Sequence, residues 1–509
     1  MKQPTSASSK VVFNTGVLYA KMLITMGISL YSVRLVLNAL GESDYGIFNL
    51  IAGVIAMLSF LNAAMTVSTQ RYLSFHQGTG DFEMQKKVFT NSWILHIGIG
   101  IIVVVLLLAL SPFLFNGFLN ISTDRISAAK AVYYFMTASV FFTIITVPFT
   151  ASLNAHENML WIAVVMIIES LLKLGIAISL VYFIETERLF YYGLLTAGIT
   201  AVSFLLYAAF CLKKYNECNV RNYAVDKPLI KELTGFAGWN LFGVVANAGR
   251  VQGMAIILNL FFGTVVNAAY GIANQVASQV NMLSATLLRA LNPQIMQSEG
   301  ANDRQRMLRL SMMASKFGFF LVAIIAIPFI FEMPIILKLW LKNVPDNTVV
   351  FCSLILVAAL FTQLTVGLQS AMQSTGKIKE YTTYVAGTML LNLPLAFVII
   401  KVGFPAYYAI ITYAVVDCIC SVMRLFFAKK YADLSIREYI NRVFAKEILP
   451  LLLSVVVCFV TVNYIHSDYR VLFTLVFSVI VFCAAIYLFG LCEDEKILVN
   501  AMIRKVLRK

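Results

Sequence analysis

Charged residues are scarce in this chain. Asp, Glu, Lys and Arg together make up 13% of its 509 residues, while 60% are hydrophobic. Soluble domains are about a quarter charged and about half apolar, so this ratio points to lipid as the main solvent. A water-soluble fold would have to hide more apolar surface than its few polar residues can cover. Long polar stretches are missing too. The longest connections between apolar runs, near 213–232 and 429–446, leave no room for a soluble domain. The four histidines, His76, His96, His156 and His466, lie far apart, and HExxH and GxSxG are both absent. Metal or nucleophilic catalysis therefore has no support, and no cofactor or metal is expected. Cys211, Cys218, Cys352, Cys418, Cys420, Cys458, Cys483 and Cys492 show no CxxC spacing. That excludes a disulfide framework and leaves them as small core residues.

What the chain has in abundance is apolar runs long enough to cross about 30 Å of hydrocarbon. They fall near 11–40, 43–69, 89–117, 127–154, 159–182, 188–212, 233–261, 265–293, 311–341, 347–374, 380–400, 404–428, 447–466 and 471–492. This predicts an all-α integral membrane protein of about fourteen transmembrane helices, a transporter rather than an enzyme. Residues Met1–Lys10 lead into a first run too long for the core of a signal peptide.

Basic residues alternate in density from loop to loop. One side holds Arg71, Lys86, Lys87, Lys213, Lys214, Arg221, Lys227, Lys231, Arg304, Arg306 and Arg309, the stretch Lys429 to Lys446 and the tail Lys496 to Lys509. The other holds Arg125, Arg188, Lys342, Lys401 and Arg470. The positive-inside rule places the rich side, with both termini, in the cytoplasm. The same bias accounts for the net charge of +14 without any nucleic-acid partner.

A repeat divides the chain. Leu37-Asn38-Ala39-Leu40-Gly41 is followed by Tyr45-Gly46-Ile47-Phe48-Asn49. Leu258-Asn259-Leu260-Phe261-Phe262-Gly263 is followed by Tyr270-Gly271-Ile272-Ala273-Asn274. The same order recurs six runs later, an even offset, so the halves are parallel repeats about an axis along the membrane normal. The expected domains are an N-terminal six-helix lobe (1–212), a cytoplasmic linker (213–232) and a second six-helix lobe (233–430). An amphipathic connection, two extra helices and a basic tail (431–509) follow. Gly41 and Gly263 are expected to end helices, and Gly46 and Gly271 to let neighbouring helices approach closely. Pro112, Pro148, Pro293, Pro328, Pro334 and Pro394 fall in or near spans, where they permit kinks. Ser374-Thr375-Gly376-Lys377 is similar to the end of a phosphate loop, but Ala371 stands where the first glycine belongs, so it reads as a helix end.

Charges within the runs carry most information, because a cation facing lipid at mid-bilayer costs roughly 2.5–3.5 kcal/mol even on lenient scales. Lys130, Lys316 and Lys338 sit near run ends, where long side chains snorkel. Arg34 lies two turns from the end of the first run, where snorkelling and cavity-facing stand equal. Lys21 lies deeper and is assigned to a cavity. Arg250 follows Asn247-Ala248-Gly249 in the seventh run with no acidic residue within a helical turn, so it faces water or an anionic ligand. Arg289, beside Asn292-Pro293, joins it as a candidate. Glu169 and Lys173, at i,i+4, neutralise each other. Asp417 and Arg424 lie two turns apart and could share a face; Asp417 and Glu169 are the candidate coupling carboxylates. Runs one and seven hold cations and no Asp or Glu, which suits a phosphate or diphosphate gripped by a planar guanidinium.

The stretches SVRLVLNALGESDYGIFNLIAGVIAMLSFLNAAMTVSTQRYLSF and GRVQGMAIILNLFFGTVVNAAYGIANQV carry a family resemblance. Over nearly its full length the chain resembles the polysaccharide-transporter branch of the multidrug/oligosaccharidyl-lipid/polysaccharide (MOP) exporter superfamily, the bacterial O-antigen and capsule repeat-unit flippases. The resemblance implies two six-helix lobes in a V around a central cavity, often with two further C-terminal helices. It implies transfer of a polyprenyl-diphosphate-linked oligosaccharide from the cytoplasmic to the outer leaflet of the bacterial inner membrane, for surface polysaccharide biosynthesis. Arginines on helices one and seven, here Arg34 and Arg250, would line the cavity. Partners would be the lipid-linked oligosaccharide, the bilayer and polysaccharide assembly proteins. The drug-exporting branch tends to carry a coupling carboxylate on helix one or seven, which this chain lacks. A cation-coupled multidrug exporter, a peptidoglycan-precursor flippase and, in another class, a membrane polymerase or glycosyltransferase remain as alternatives.

The orientation can be tested with single cysteines in a cysteine-free background. Cysteines at Asn216 and Ser435 should resist an impermeant thiol reagent in intact cells, and one at Asn343 should react. Labelling at Asn216 from outside would invert the topology.

Overall fold

The computed structural model describes residues 7–500, except 57–58, 116–118, 120, 220–224, 342, 466, 468 and 498–499. Arg221, Lys342, His466 and the tail beyond residue 500, used in the sequence reading, lie outside the described residues. The described chain is helical, with no strand. Apolar residues surround most helices, as lipid-solvated helices require, and large side chains such as Leu23, Leu106, Leu260 and Leu339 stand exposed.

The helices are α1 (Ala7–Ala56), α2 (Ser59–Thr79), α3 (Phe82–Phe113), α4 (Ile126–Ala155), α5 (Met159–Tyr182), α6 (Arg188–Lys214) and α7 (Lys227–Gly300). After these come α8 (Arg304–Leu341), α9 (Thr348–Gln363), α10 (Val366–Thr375), α11 (Ile378–Lys401) and α12 (Tyr407–Ala432). The last are α13 (Ile436–Tyr439), α14 (Ala445–Tyr464) and α15 (Arg470–Ala485). All six prolines noted above fall inside helices, and Gly376 closes α10. The eight cysteines are free thiols.

Eleven helices among the described residues are long and apolar enough to cross a membrane. They become twelve if α9 and α10, bent by 42°, form one span. The expected fourteen is a larger number because it divides α7 in two and counts the stretch 43–69 separately. That stretch is split here between the end of α1 and the more polar start of α2. At about 1.5 Å per residue, the 74 residues of α7 would reach about 110 Å, far beyond one bilayer.

The resolution of that length lies in one residue. Gly263 breaks α7 with φ 79° and ψ −169°, and Gly41 breaks α1 with φ 76° and ψ 171°. Both occupy the corner of backbone space that only glycine enters without strain. The repeated sequence therefore encodes a repeated backbone bend. Met254 and Leu258 before Gly263 and Tyr270 and Ala273 after it belong to one core, so both arms of α7 border the same packing. Gly46 and Gly271 do not serve close approach as expected: a Cβ at either would meet no heavy atom within 4 Å.

The chain divides into two compact units, Met1–Leu241 and Phe242–Lys509, so the division falls within α7 and not in 213–232. In the first unit, α1 packs on α5, and α4 packs on α2, α3 and α6. The first turns of α7 belong here. Tyr72 donates to Glu232 at 2.9 Å, Ser68 donates to the Leu233 carbonyl at 2.9 Å, and Arg71 lies over the rings of Tyr72, Phe75 and Phe236. The expected linker is equally anchored. Glu217, just past α6, accepts from Ser152 at 3.0 Å and from His156 at 2.5 Å. Burial pushes the Glu217 carboxyl up, but His156 and Ser152 outweigh it and hold the group below the usual carboxylate range.

In the second unit, α12 packs on α9 and α11, and α8 on α9 and α10. The terminal pair α14–α15 docks on α8 through two buried ion pairs. Glu332, fully buried, accepts from Arg470 Nη2 at 3.0 Å and Nε at 3.1 Å, and from the Thr474 hydroxyl at 2.7 Å. Lys316, about 24 Å away along the helix, pairs with Glu495 at 2.5 Å. Lys316 was expected to snorkel from a span end; it is 1% exposed, because its counter-charge comes from the segment after α15. Lys338 is exposed, and Lys130 lies 5.9 Å from the Phe115 ring.

Alanine at Gly41 or Gly263 should cost about 1–3 kcal/mol through backbone strain alone. It should lower the melting temperature of the detergent-solubilised protein. Gly46→Ala and Gly271→Ala, in open helical positions, should leave it unchanged or raise it. Equal effects at the four positions would overturn the bend.

Candidate functional site

The residue that decides the site is Arg250. It lies on the first arm of α7, 3% exposed, and its guanidinium is gripped from several sides. Nη1 donates to Asp417 Oδ1 at 2.5 Å, and Nη2 to Tyr413 Oη at 2.8 Å and Asn247 Oδ1 at 3.2 Å. The guanidinium carbon stands 3.8 Å from the centre of the Tyr413 ring. Asp417, 4% exposed, also accepts from the Thr362 hydroxyl at 3.3 Å. Asn247 and Arg250 come from one turn of α7, Tyr413 and Asp417 from one turn of α12, and Thr362 from the end of α9. The i,i+3 and i,i+4 spacings of a helix put each pair on one face.

This corrects the expectation of an unpaired arginine. The counter-charge is absent from its own helix and sits 167 residues further on, on α12. Arg424 does not pair with Asp417. Both face α9, where Arg424 donates to the Thr362 carbonyl at 3.4 Å and the Thr365 hydroxyl at 3.5 Å. Thr362 thus touches both, through hydroxyl and carbonyl. One residue on, Gln363 donates to Asn281 at 3.1 Å and accepts from Ser284 at 2.6 Å. The second unit therefore carries two polar clusters, one of α9 with α7 and α12 at Thr362 and one of α9 with α7 at Gln363. Arg250 Nε is buried and makes no hydrogen bond among the described residues. Tyr413, Thr362, Gln363 and Asn281 were not singled out from the sequence. Tyr413 sits at i−4 from Asp417, which was the one readable sign.

The other candidates scatter. Lys21 is 7% exposed, with Nζ 3.4 Å from Met166 Sδ, so it is packed against α5. Arg34 and Arg289 are exposed. Glu169 accepts from Lys173 at 2.7 Å, as the spacing predicts. Of the six, only Arg250 and Asp417 are brought together.

Residues 11–299 match the family described as polysaccharide biosynthesis protein. The chain belongs to this family. No curated protein matches the chain. Among solved structures, a MATE protein in the bent conformation is similar with a TM-score of 0.74 and 14% identity, over 84% of this chain and 96% of that one. An outward-facing multidrug resistance MATE family transporter of the MOP superfamily gives 0.71 at 13% identity, over 85% and 97%. A MOP superfamily transporter from Pyrococcus furiosus, described as having a binding pocket of reverse polarity, gives 0.72 at 13% identity, over 84% and 96%. At such identity the likeness speaks for the fold, which is the two-lobed MATE-like fold. The chain is therefore a member of the polysaccharide biosynthesis family with a MATE-like fold and many helices apolar enough to cross a membrane.

Within this polysaccharide biosynthesis protein, a buried ion pair is an asymmetric liability. Removing one partner leaves an uncompensated charge, at a cost of roughly 3–5 kcal/mol, whereas removing both charges is near neutral. Arg250→Ala should therefore lower the folded yield in membranes, and the double variant Arg250→Ala/Asp417→Asn should recover most of it. Full accumulation of the single variant would show that the pair carries no such energy.

Proposed function

We propose that this transporter flips a polyprenyl-diphosphate-linked oligosaccharide from the cytoplasmic to the outer leaflet of a bacterial inner membrane, with both termini cytoplasmic, and is not an enzyme. Membership of the polysaccharide biosynthesis family carries this reading. Arg250 supports the chemistry. A guanidinium holds a carboxylate and a phosphate oxygen by the same planar hydrogen bonds, so a diphosphate can compete with Asp417 for it. Protonation of Asp417 would weaken its hold on Arg250 and favour the exchange, giving Asp417 the role of coupling carboxylate. Arg34, Lys21 and Arg289 would add positive charge along the route, and Glu169 would stay neutralised by Lys173. The lipid tail would remain in the bilayer while the head group crosses. Export of a small cationic drug is the second reading, drawn from the multidrug transporter among the fold relatives. An Arg250 guanidinium released from Asp417 would disfavour it, since it would repel a cationic substrate.

The test is export of the cell's surface polysaccharide, with membrane protein level measured in parallel. The folded double variant Arg250→Ala/Asp417→Asn should lose export, because a charge-assisted contact to a desolvated phosphate is worth roughly 1.5–3 kcal/mol, about tenfold to a hundredfold in affinity. Arg250→Lys should keep part of the activity. Normal export by a well-expressed double variant would remove Arg250 from substrate recognition, and drug efflux with normal export in a deletion strain would favour the second reading.

A further inference from the structure

A second buried charge cluster lies away from Arg250, where the terminal helix pair meets α8. Lys316 donates to Glu495 Oε2 at 2.5 Å and stands 3.5 Å from Cys492 Sγ. The Cys492 backbone N–H donates to the same Glu495 oxygen at 2.8 Å. Glu447, on the first turn of α14, is 1% exposed, and neither of its carboxyl oxygens has a hydrogen-bond partner among the described residues. Lys316 is the cation within electrostatic reach of it. Two distortions of helix geometry frame the cluster. The π-helical turn Ile440–Phe444 runs directly into α14, and a second, Ile486–Gly490, directly precedes Leu491 and Cys492. Such turns are rare and recur at functional positions. They also bring the two segments together: a Cβ on Gly490 would stand 3.4 Å from the Lys446 carbonyl oxygen, beside Glu447.

Charge balance sets the chemistry. One ammonium, on Lys316, faces two carboxyl groups, on Glu495 and Glu447. An ionised carboxylate buried with no hydrogen bond is expensive, so a proton or a second cation must complete the balance. Among the described residues, the remaining groups around the cluster supply no such cation. Tyr439 and Ser315 are neutral neighbours, and Arg424, beyond Tyr439, is engaged by Thr362 and Thr365. Lys446 precedes Glu447 in the chain but sits about 100° round the helix from it and is half-exposed. At the exposed edge Arg442 is already paired with Glu438 and Asp494, and Lys496 with Glu493. We propose that Glu447 is a proton-binding site, and that loss of its proton draws Lys316 from Glu495 and loosens the segment carrying Cys492. The proton leaves to solvent, and beyond that O–H bond only hydrogen bonds change. This site is separate from Arg250 and independent of the substrate assigned above.

Cys492 reports on the exchange. In the full-length protein with Cys492 as its sole cysteine, the rate of maleimide labelling is measured against pH and divided by the rate for glutathione, which removes the rise in reactivity with pH that is common to thiols. The ratio should rise about tenfold from about pH 6 to about pH 9, and Glu447→Gln, a mimic of the protonated acid, should hold it flat and low. Should Glu447→Gln not accumulate, Glu447→Met takes its place with the same expectation. A flat ratio in the parent protein, or the same rise in the variant, would overturn the proposal. A ratio that follows sodium concentration at fixed pH would replace the proton with a bound cation.

Discussion

Inside a bilayer a buried charge is costly unless the protein answers it, and for Arg250, Lys316 and Glu332 the answer comes from a distant segment of the chain. Backbone hydrogen bonds are satisfied within each helix and give no information about which helix lies beside which. Apolar faces discriminate weakly, because lipid is as good a neighbour as another leucine. The buried pairs Arg250–Asp417, Lys316–Glu495 and Arg470–Glu332 are therefore what fixes partners, joining α7 to α12 and the terminal pair to α8. Each is also close to irreplaceable singly, since a lone buried ion is worse than none. On the function proposed above, transport and architecture draw on the same scarce residues.

The two repeats share a bend but not a charge pattern. Gly41 and Gly263 adopt nearly the same backbone angles, in a region that only glycine enters without strain. The polar content diverged. In the second unit Arg250 of α7 is paired with Asp417 in the interior, whereas Arg34 of α1 is exposed. Work that requires charge has settled unequally on a common frame.

What was legible in the sequence follows from how far apart the interacting residues are. The helical membrane fold was readable from composition, and the Glu169–Lys173 pair from a spacing of four. The bends were readable because the sequence states them twice. Arg250 was found by its isolation, but its partner was not, since helical spacing says nothing about a carboxylate on another helix. Lys316 was misread for the same reason: its place near a run end suggested snorkelling, while its counter-ion waited beyond α15. Gly46 and Gly271 were assigned to helix contacts on residue type alone, and the space around them is open.

The clasp on Glu332 reaches beyond this chain. A carboxylate with no exposed surface, held by Arg470 and Thr474 of α15, makes the terminal pair a structural debtor of α8 and the reverse. A related sequence that ends after its twelfth helix cannot keep an acid at that position without exposing it to lipid. Loss or gain of the pair in evolution should then be accompanied by replacement at two sites on one helix, those of Glu332 and Lys316. Chain length and two interior residues should vary together across lineages.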